Sequence, residues 1–201
     1  MLDLALGGSS LSCNELVQLR ERAFRLAKAQ VVDPHARRMI EWLEEVMQVL
    51  SPESLRPKQS DAFFSPGDQC IGAVRSAFAN ARAKVDVCVF TITDDRIAET
   101  ILAAHRRGIR IRIITDNDKV YDEGSDIPRL ARAGLAIRVD RSEFHMHHKF
   151  ALFDDSALLN GSYNWTRSAA ANNDENLVLT HDGTLVEKFA AQFEKLWTKF
   201  A

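Results

Sequence analysis

The chain has 201 residues, with 26 Lys and Arg against 28 Asp and Glu and a hydrophobic share of 46%. That is enough apolar material for one full domain plus an extension. A net charge of -2 provides no global positive field, so nucleic-acid binding requires a local basic patch. No apolar run approaches the roughly 18 residues of a spanning helix, so stable membrane insertion is not expected. The start, MLDLALGGSSLSC, is acidic where a secretory signal is basic, and its apolar part is short. Cys13, Cys70 and Cys88 are odd in number and widely spaced, which suits neither a disulfide framework nor a zinc-ligand set. Free thiols suit a reducing compartment, and the expected location is cytoplasmic.

Residues 1–57 look purely helical. Ser12 with Glu15 is a capping-box signature, and Leu16, Leu19, Ala23 and Leu26 follow at helical spacing. Asp33 and Pro34 are placed as N-cap and first helical residue of a second helix, with Ile40, Leu43, Met47 and Leu50 as its apolar stripe. Two such helices cannot bury both stripes alone. They either cap the main domain or form a docking arm for a protein partner. The two-proline stretch SPESLRPKQS is the linker candidate, which divides the chain into an extension, 1–57, and a domain, 58–201.

From Ser60 onward strands and helices alternate. The pattern predicts a strand at Ala62–Phe64, a helix at Asp68–Arg82 and a buried strand at Val85–Phe90. A helix follows Asp94-Asp95 and stops at Gly108, then come a strand at Ile109–Thr115, a helix at Asp126–Ala133 and a strand at Leu135–Val139. Segments 150–153 and 157–159 form a tight hairpin around Asp154-Asp155-Ser156. A strand at Asn176–Thr180 and an amphipathic helix at Thr184–Phe200 complete the chain. This alternation predicts an α/β domain with a mixed, largely parallel sheet flanked by helices. Arg110 and Arg112 share one strand face, suited to phosphate binding or to a solvated sheet edge. Asp116-Asn117-Asp118 is a turn at a strand's carboxyl end, where sites in such sheets lie, and lacks the rest of a calcium loop.

The chemistry concentrates in FHMHHKFALFDDSALLNGSYN, residues 144–164. If the strand phase runs from His147 to Phe153, His147 and Lys149 share a face about 7 Å apart and can share one phosphate. The Lys supplies a fixed charge, and the His can attack phosphorus or move a proton. Gly161 allows close backbone approach, Ser162 adds a hydroxyl and Asn164 an amide donor. His145, His147 and His148 crowd together, yet only two of them can share a strand face. No Cys completes a set and Lys149 repels a cation, so no metal site is expected.

The pattern His147-x-Lys149-x4-Asp154-x6-Gly161-Ser162-x-Asn164 resembles the HKD motif of the phospholipase D superfamily. Trp165-Thr166 and Asn173-Asp174-Glu175-Asn176 are similar to it as well. The resemblance spans roughly residues 60–200. It is nearest to the small single-motif members, the bacterial Nuc-type endonucleases and the mitochondrial cardiolipin hydrolase/Zucchini group. It implies that His147 is a nucleophile forming a phosphohistidine, and that Lys149 and Asn164, with Ser162 beside them, bind the phosphate oxygens. Glu175 would hydrogen-bond the His ring, Asp154 and Gly161 would be structural, and no cofactor or metal would be needed. The mechanism uses two histidines and the motif occurs once, so a homodimer through the motif face is implied. A nuclease acting on DNA or RNA is the expected function, with Arg110, Arg112 and Arg167 as substrate-binding residues. The alternatives are a phospholipid hydrolase, or a subunit docking through residues 1–57.

Overall fold

The computed structural model describes residues 13–50 and 60–201, and the chain divides into two compact units, Met1–Lys58 and Gln59–Ala201. The Ser12 capping signature and most of the linker candidate lie outside the described residues. In the first unit, α1 (Cys13–Gln30) and α2 (Pro34–Leu50) are joined by three residues and fold into an antiparallel hairpin. Asp33 caps α2 as expected, its Oδ2 accepting from Ala36 N at 2.8 Å. Lys28 Nζ meets Glu44 at 2.7 Å, and Arg37 donates to the Lys28 carbonyl at 3.0 Å. No residue of α2 is buried.

The second unit runs β1 (Asp61–Ser65), α3 (Gln69–Asn80), β2 (Lys84–Val89), α4 (Asp95–Arg106), β3 (Arg110–Thr115) and α5 (Ile127–Arg132), then β4 (Ala136–Val139), β5 (Lys149–Phe153), β6 (Ala157–Gly161), α6 (Arg167–Asn172), β7 (Glu175–Thr180) and α7 (Gly183–Lys199). Its strands form one seven-stranded sheet in the order β1-β7-β6-β5-β2-β3-β4. The mixed α/β character is as expected, but the sheet is not largely parallel. Only β2–β3 and β3–β4 are parallel, whereas β1–β7, β7–β6, β6–β5 and β5–β2 are antiparallel. Helical crossovers give parallel neighbours only while they continue. After β4 the chain enters a hairpin that lays β5 beside β2 in the reverse direction, and β1 pairs at the far edge. The short helix α6 has no counterpart in the sequence reading. Thr166 caps it, its Oγ1 accepting from Ala169 N at 3.0 Å.

The period-two alternation of each strand divides the core. Val85, Val87, Ile111, Ile113, Ala151, Phe153, Leu159 and Leu177 pack with α3, α4 and α5 on one face. Cys88, Ile114, Phe150, Leu152 and Leu158 pack with Val186, Phe193 and Phe200 on the α7 face. Fully burying a large apolar side chain is worth about 1.5–3 kcal/mol, and these two layers hold the sheet rigid beneath its upper edge.

The β5–β6 turn fixes register. Asp154 and Asp155 have φ of 50° and 51°, and Ser156 N donates to the Phe153 carbonyl at 3.0 Å. Two positive-φ residues make the type I′ turn that matches strand twist, and Asp tolerates that conformation. The Asp154 carboxylate also accepts from Arg82 N, Ala83 N and Lys84 N at 2.8, 2.8 and 2.9 Å, tying the turn to the start of β2. Burial tends to raise its pKa, but the three backbone donors prevail and hold it below the ordinary 3.8. The stability from this clamp is therefore complete above the ordinary Asp value and is lost as pH falls through the lower folded value. Asp154→Ala is expected to lower stability by about 2 kcal/mol at neutral pH, with the gap to wild type narrowing on acidification, read by denaturant melts across pH. Gly161 lies against β7, where an added Cβ would meet Asn176 O at 2.1 Å. Gly161→Ala must part β6 from β7 at a cost of about 1–3 kcal/mol, read by thermal melting.

Candidate active site

The motif residues other than Asp154 gather at the edge where β2 and β3 end and β5 begins, the carboxyl edge of the parallel strands. Val89 pairs with Lys149, and Phe90 N donates to the His148 carbonyl at 3.0 Å. The strand begins at Lys149, so His147 and His148 precede it rather than standing within it. His147 and Lys149 still meet, by a different contact. The Lys149 ammonium folds back onto the His147 carbonyl at 2.9 Å.

Lys149 is 8% exposed. Burial pushes its pKa below the ordinary lysine value, and Glu175 opposes that shift. Lys149 and Glu175 lie on one sheet face, in phase with Ala151 and Leu177. Phe90 is the common support. Its ring lies 4.7 Å from the His147 ring and 5.4 Å from that of His145, with the Lys149 ammonium 5.2 Å from its centroid and Lys119 at 5.6 Å. The exposed His147 imidazole is held below its ordinary pKa, chiefly by desolvation and then by Lys149 and His145, with Asp116 pulling the other way.

Asp116 is fully buried at the end of β3. Its Oδ2 accepts from Met146 N at 2.8 Å and lies 3.3 Å from His145 Nδ1, and its Oδ1 accepts from Asp118 N at 3.0 Å. It therefore fixes the segment leading into His147. Asp116, Asp118 and His145 bring ligand-type atoms within 4.8 Å of one another, but both Asp116 oxygens are already bonded to backbone N–H groups.

From the other side, Ser162 Oγ accepts from Asn176 N at 3.0 Å, and Ser162 N and Tyr163 N both donate to the Asn176 carbonyl. Ser162, just after β6, is thus tied to the start of β7. Asn164 N donates to Glu175 Oε2 at 2.9 Å, and Asn173 Nδ2 donates to Glu175 Oε1 at 2.8 Å. Within this chain the Glu175 carboxylate meets these two groups and makes no hydrogen bond to its own His147 ring. It anchors the loop that presents Asn164, because β7 begins at Glu175 and pairs it with Ser65, whose Oγ accepts from Glu175 N. The Asn164 side-chain oxygen is buried without a hydrogen-bond partner among the described residues.

Two expected substrate-binding arginines lie elsewhere. Arg110 pairs with Lys84, five residues down β2 from Val89, or about 17 Å along the strand. Arg112 donates to Asp86 at 2.7 and 2.9 Å and reaches Glu194 at 2.5 Å, with its guanidinium over Phe193 and Trp197. A shared strand face suggested an open basic patch, but that face is covered by α7, and Arg112 cements the helix to the sheet. Arg167, at the start of α6, is three residues from Asn164 and is held by Asp95 at 2.5 Å. Sequence reading passed over Phe90 as a strand core residue and Asp116 as a turn residue. The position of Asp116 at a strand's carboxyl end was the available signal.

A family model described as "Cardiolipin synthase, PLD-like domain" matches residues 74–197. The chain is 49% identical over 121 residues to a mitochondrial cardiolipin hydrolase of Chlamydomonas reinhardtii, covering 60% of this chain and 54% of that protein. It is 40% identical over 144 residues to the Xenopus laevis protein of the same name, covering 72% and 65%. The chain thus spans roughly half to two thirds of the length of these relatives. Among solved structures, Nuc of Salmonella typhimurium, a phospholipase D family member, superposes with a TM-score of 0.65 at 26% identity, covering 70% of this chain and 94% of that one. With His147, Lys149 and the Ser162–Asn164 loop gathered at one sheet edge and the family model spanning most of the second unit, the chain belongs to the phospholipase D-like family.

Proposed function

We propose that the domain is a phosphodiesterase that hydrolyses an anionic phospholipid of the cardiolipin class. The observation that carries this reading is His147, exposed on the Phe90 ring with the buried Lys149 cation at its own carbonyl. The name shared by the two curated relatives supplies the substrate class. In this mechanism an imidazole nitrogen of His147 bonds to phosphorus as the alkoxide oxygen leaves. A second histidine gives that oxygen its proton, and water then cleaves the phosphohistidine. Lys149 and the Asn164 side chain balance the charge that develops on the non-bridging oxygens. Glu175 and Asp116 hold the two loops in register. His-x-Lys occurs once in the sequence, so the second histidine comes from a second copy across a two-fold axis. Lys149 does the work of a cation, and the reaction is expected to proceed in EDTA.

The mitochondrial names of the relatives overturn the expected cytoplasmic location. Free thiols report a reducing environment and do not distinguish one reducing compartment from another. Among the described residues no helix is long and apolar enough to cross a membrane.

A nuclease is the second reading, favoured by the fold likeness to Nuc. Wild type and His147→Asn are to be compared in EDTA on cardiolipin liposomes and on single- and double-stranded DNA and RNA. Release of phosphatidic acid by wild type alone supports the lipid reading. Cleavage confined to nucleic acid replaces it with the nuclease reading, and equal inertness of both proteins defeats the phosphodiesterase reading. Asn164→Ala is expected to cost on the order of 3–4 kcal/mol of barrier on the accepted substrate.

The depressed His147 pKa keeps the imidazole neutral, hence nucleophilic, to lower pH. The acid limb of kcat/KM is therefore expected below the ordinary 6.5. Phe90→Ala opens the ring to water and frees its orientation. It should move the limb upward toward that value and lower kcat on the order of 10–100-fold. A pH–rate profile and the His147 NMR titration check both effects.

A further inference from the structure

The α1–α2 hairpin carries a surface that the proposed reaction does not use. Its seam is made by the half-buried Val17, Phe24, Ala27 and Ile40. Beside that seam runs a second apolar stripe on each helix. On α1 it is Leu16, Leu19, Ala23 and Leu26, at the 3-4-3 spacing of a helix-bundle seam, with the three leucines 38, 47 and 54% exposed. On α2 it includes Met39, Leu43 and Leu50, exposed at 59, 46 and 74%. On each helix the stripe lies roughly a quarter turn from the seam, in the same sense. Because the helices are antiparallel, both stripes open to one side, giving the hairpin one continuous apolar face.

Charge says what fits that face. In the loop half, residues 22–40, there are five basic side chains, Arg22, Arg25, Lys28, Arg37 and Arg38, and the only acid is the capping Asp33. In the open half, residues 13–21 and 41–50, there are five acids, Glu15, Glu21, Glu41, Glu44 and Glu45, and the only base is Arg20. Lys28 and Glu44 neutralise each other within the hairpin, and the remaining charges make it a two-ended dipole around an apolar face. An anionic lipid surface would be repelled by half of it. Two copies with loops at the same end would set like charges together. Two copies with loops at opposite ends set each basic half on an acidic half, twice over.

We propose that this hairpin is a self-association device, closing face to face with the same hairpin of a second copy in a two-fold four-helix bundle with the loops at opposite ends. In that arrangement α2 runs antiparallel along its mate. The axis passes near the middle of the α2 stripe, so each Leu43 lies beside the Leu43 of the other copy, while the two Val32 residues are far apart. The leucine contacts give the affinity, and the charge pattern excludes the same-end register.

The test uses the full chain in a Cys13→Ser background, since Cys70 and Cys88 are buried. Under mild oxidation Leu43→Cys is expected to form a covalent dimer and Val32→Cys is not. In the Leu43→Cys chain, Arg37→Glu/Arg38→Glu and Glu41→Arg/Glu45→Arg should each reduce cross-linking by about tenfold. A mixture of the two should restore it as the mixed species, because each basic end again meets an acidic one. No Leu43→Cys dimer in a chain whose circular dichroism retains its helices overturns the proposal, and points to the catalytic unit or another protein as the cover. Equal cross-linking at Val32→Cys, or a mixture that fails to restore the dimer, overturns it as well.

Discussion

A lysine ammonium held almost out of water is the constraint around which the site is built. Placing such a charge at a sheet edge costs several kcal/mol unless it is partnered. Here Lys149 is met by the His147 carbonyl and the Phe90 ring, with Glu175 across the same face. The same contacts fix where His147 stands, because the carbonyl that receives the ammonium belongs to the residue whose ring leans on Phe90. The cation and the imidazole are thus positioned as one unit.

That unit depends on the sheet beneath it. β5 is clamped at its far end by Asp154, whose three backbone bonds hold the hairpin against the start of β2. A slip of one residue would turn Lys149 to the α7 face. Gly161 then lets β6 and β7 approach closely enough for the Ser162–Asn176 bonds, and from there the chain swings Asn164 onto Glu175. Asp154, about 17 Å along the chain from Lys149 and just past the end of β5, therefore acts on the motif edge through register.

Much of this was legible along the chain. The strand and helix order, the tight hairpin, the Asp33 cap and the motif itself follow from local periodicity and turn chemistry, which are short-range. The sheet order was less accessible. Alternating elements suggested parallel neighbours, yet β5 sits beside β2, and β1 pairs with β7 at the edge. Arg112 shows the same gap at one residue. Its strand face was legible, but not that α7 lies over that face.

The sequence by itself determined the motif residues His147, Lys149, Ser162 and Asn164, with Glu175 beyond them, and the family to which their spacing belongs. It also determined the charge polarity of the N-terminal hairpin. Only the tertiary structure decided that Phe90 and Asp116 support His147 and its approach, that Glu175 binds the Asn164 loop, and that Arg110 and Arg112 lie away from that edge. The reason is physical. Residue type and spacing encode what a side chain can do and which way it points in its own element, whereas its partners are set by which distant strand or helix is packed against it.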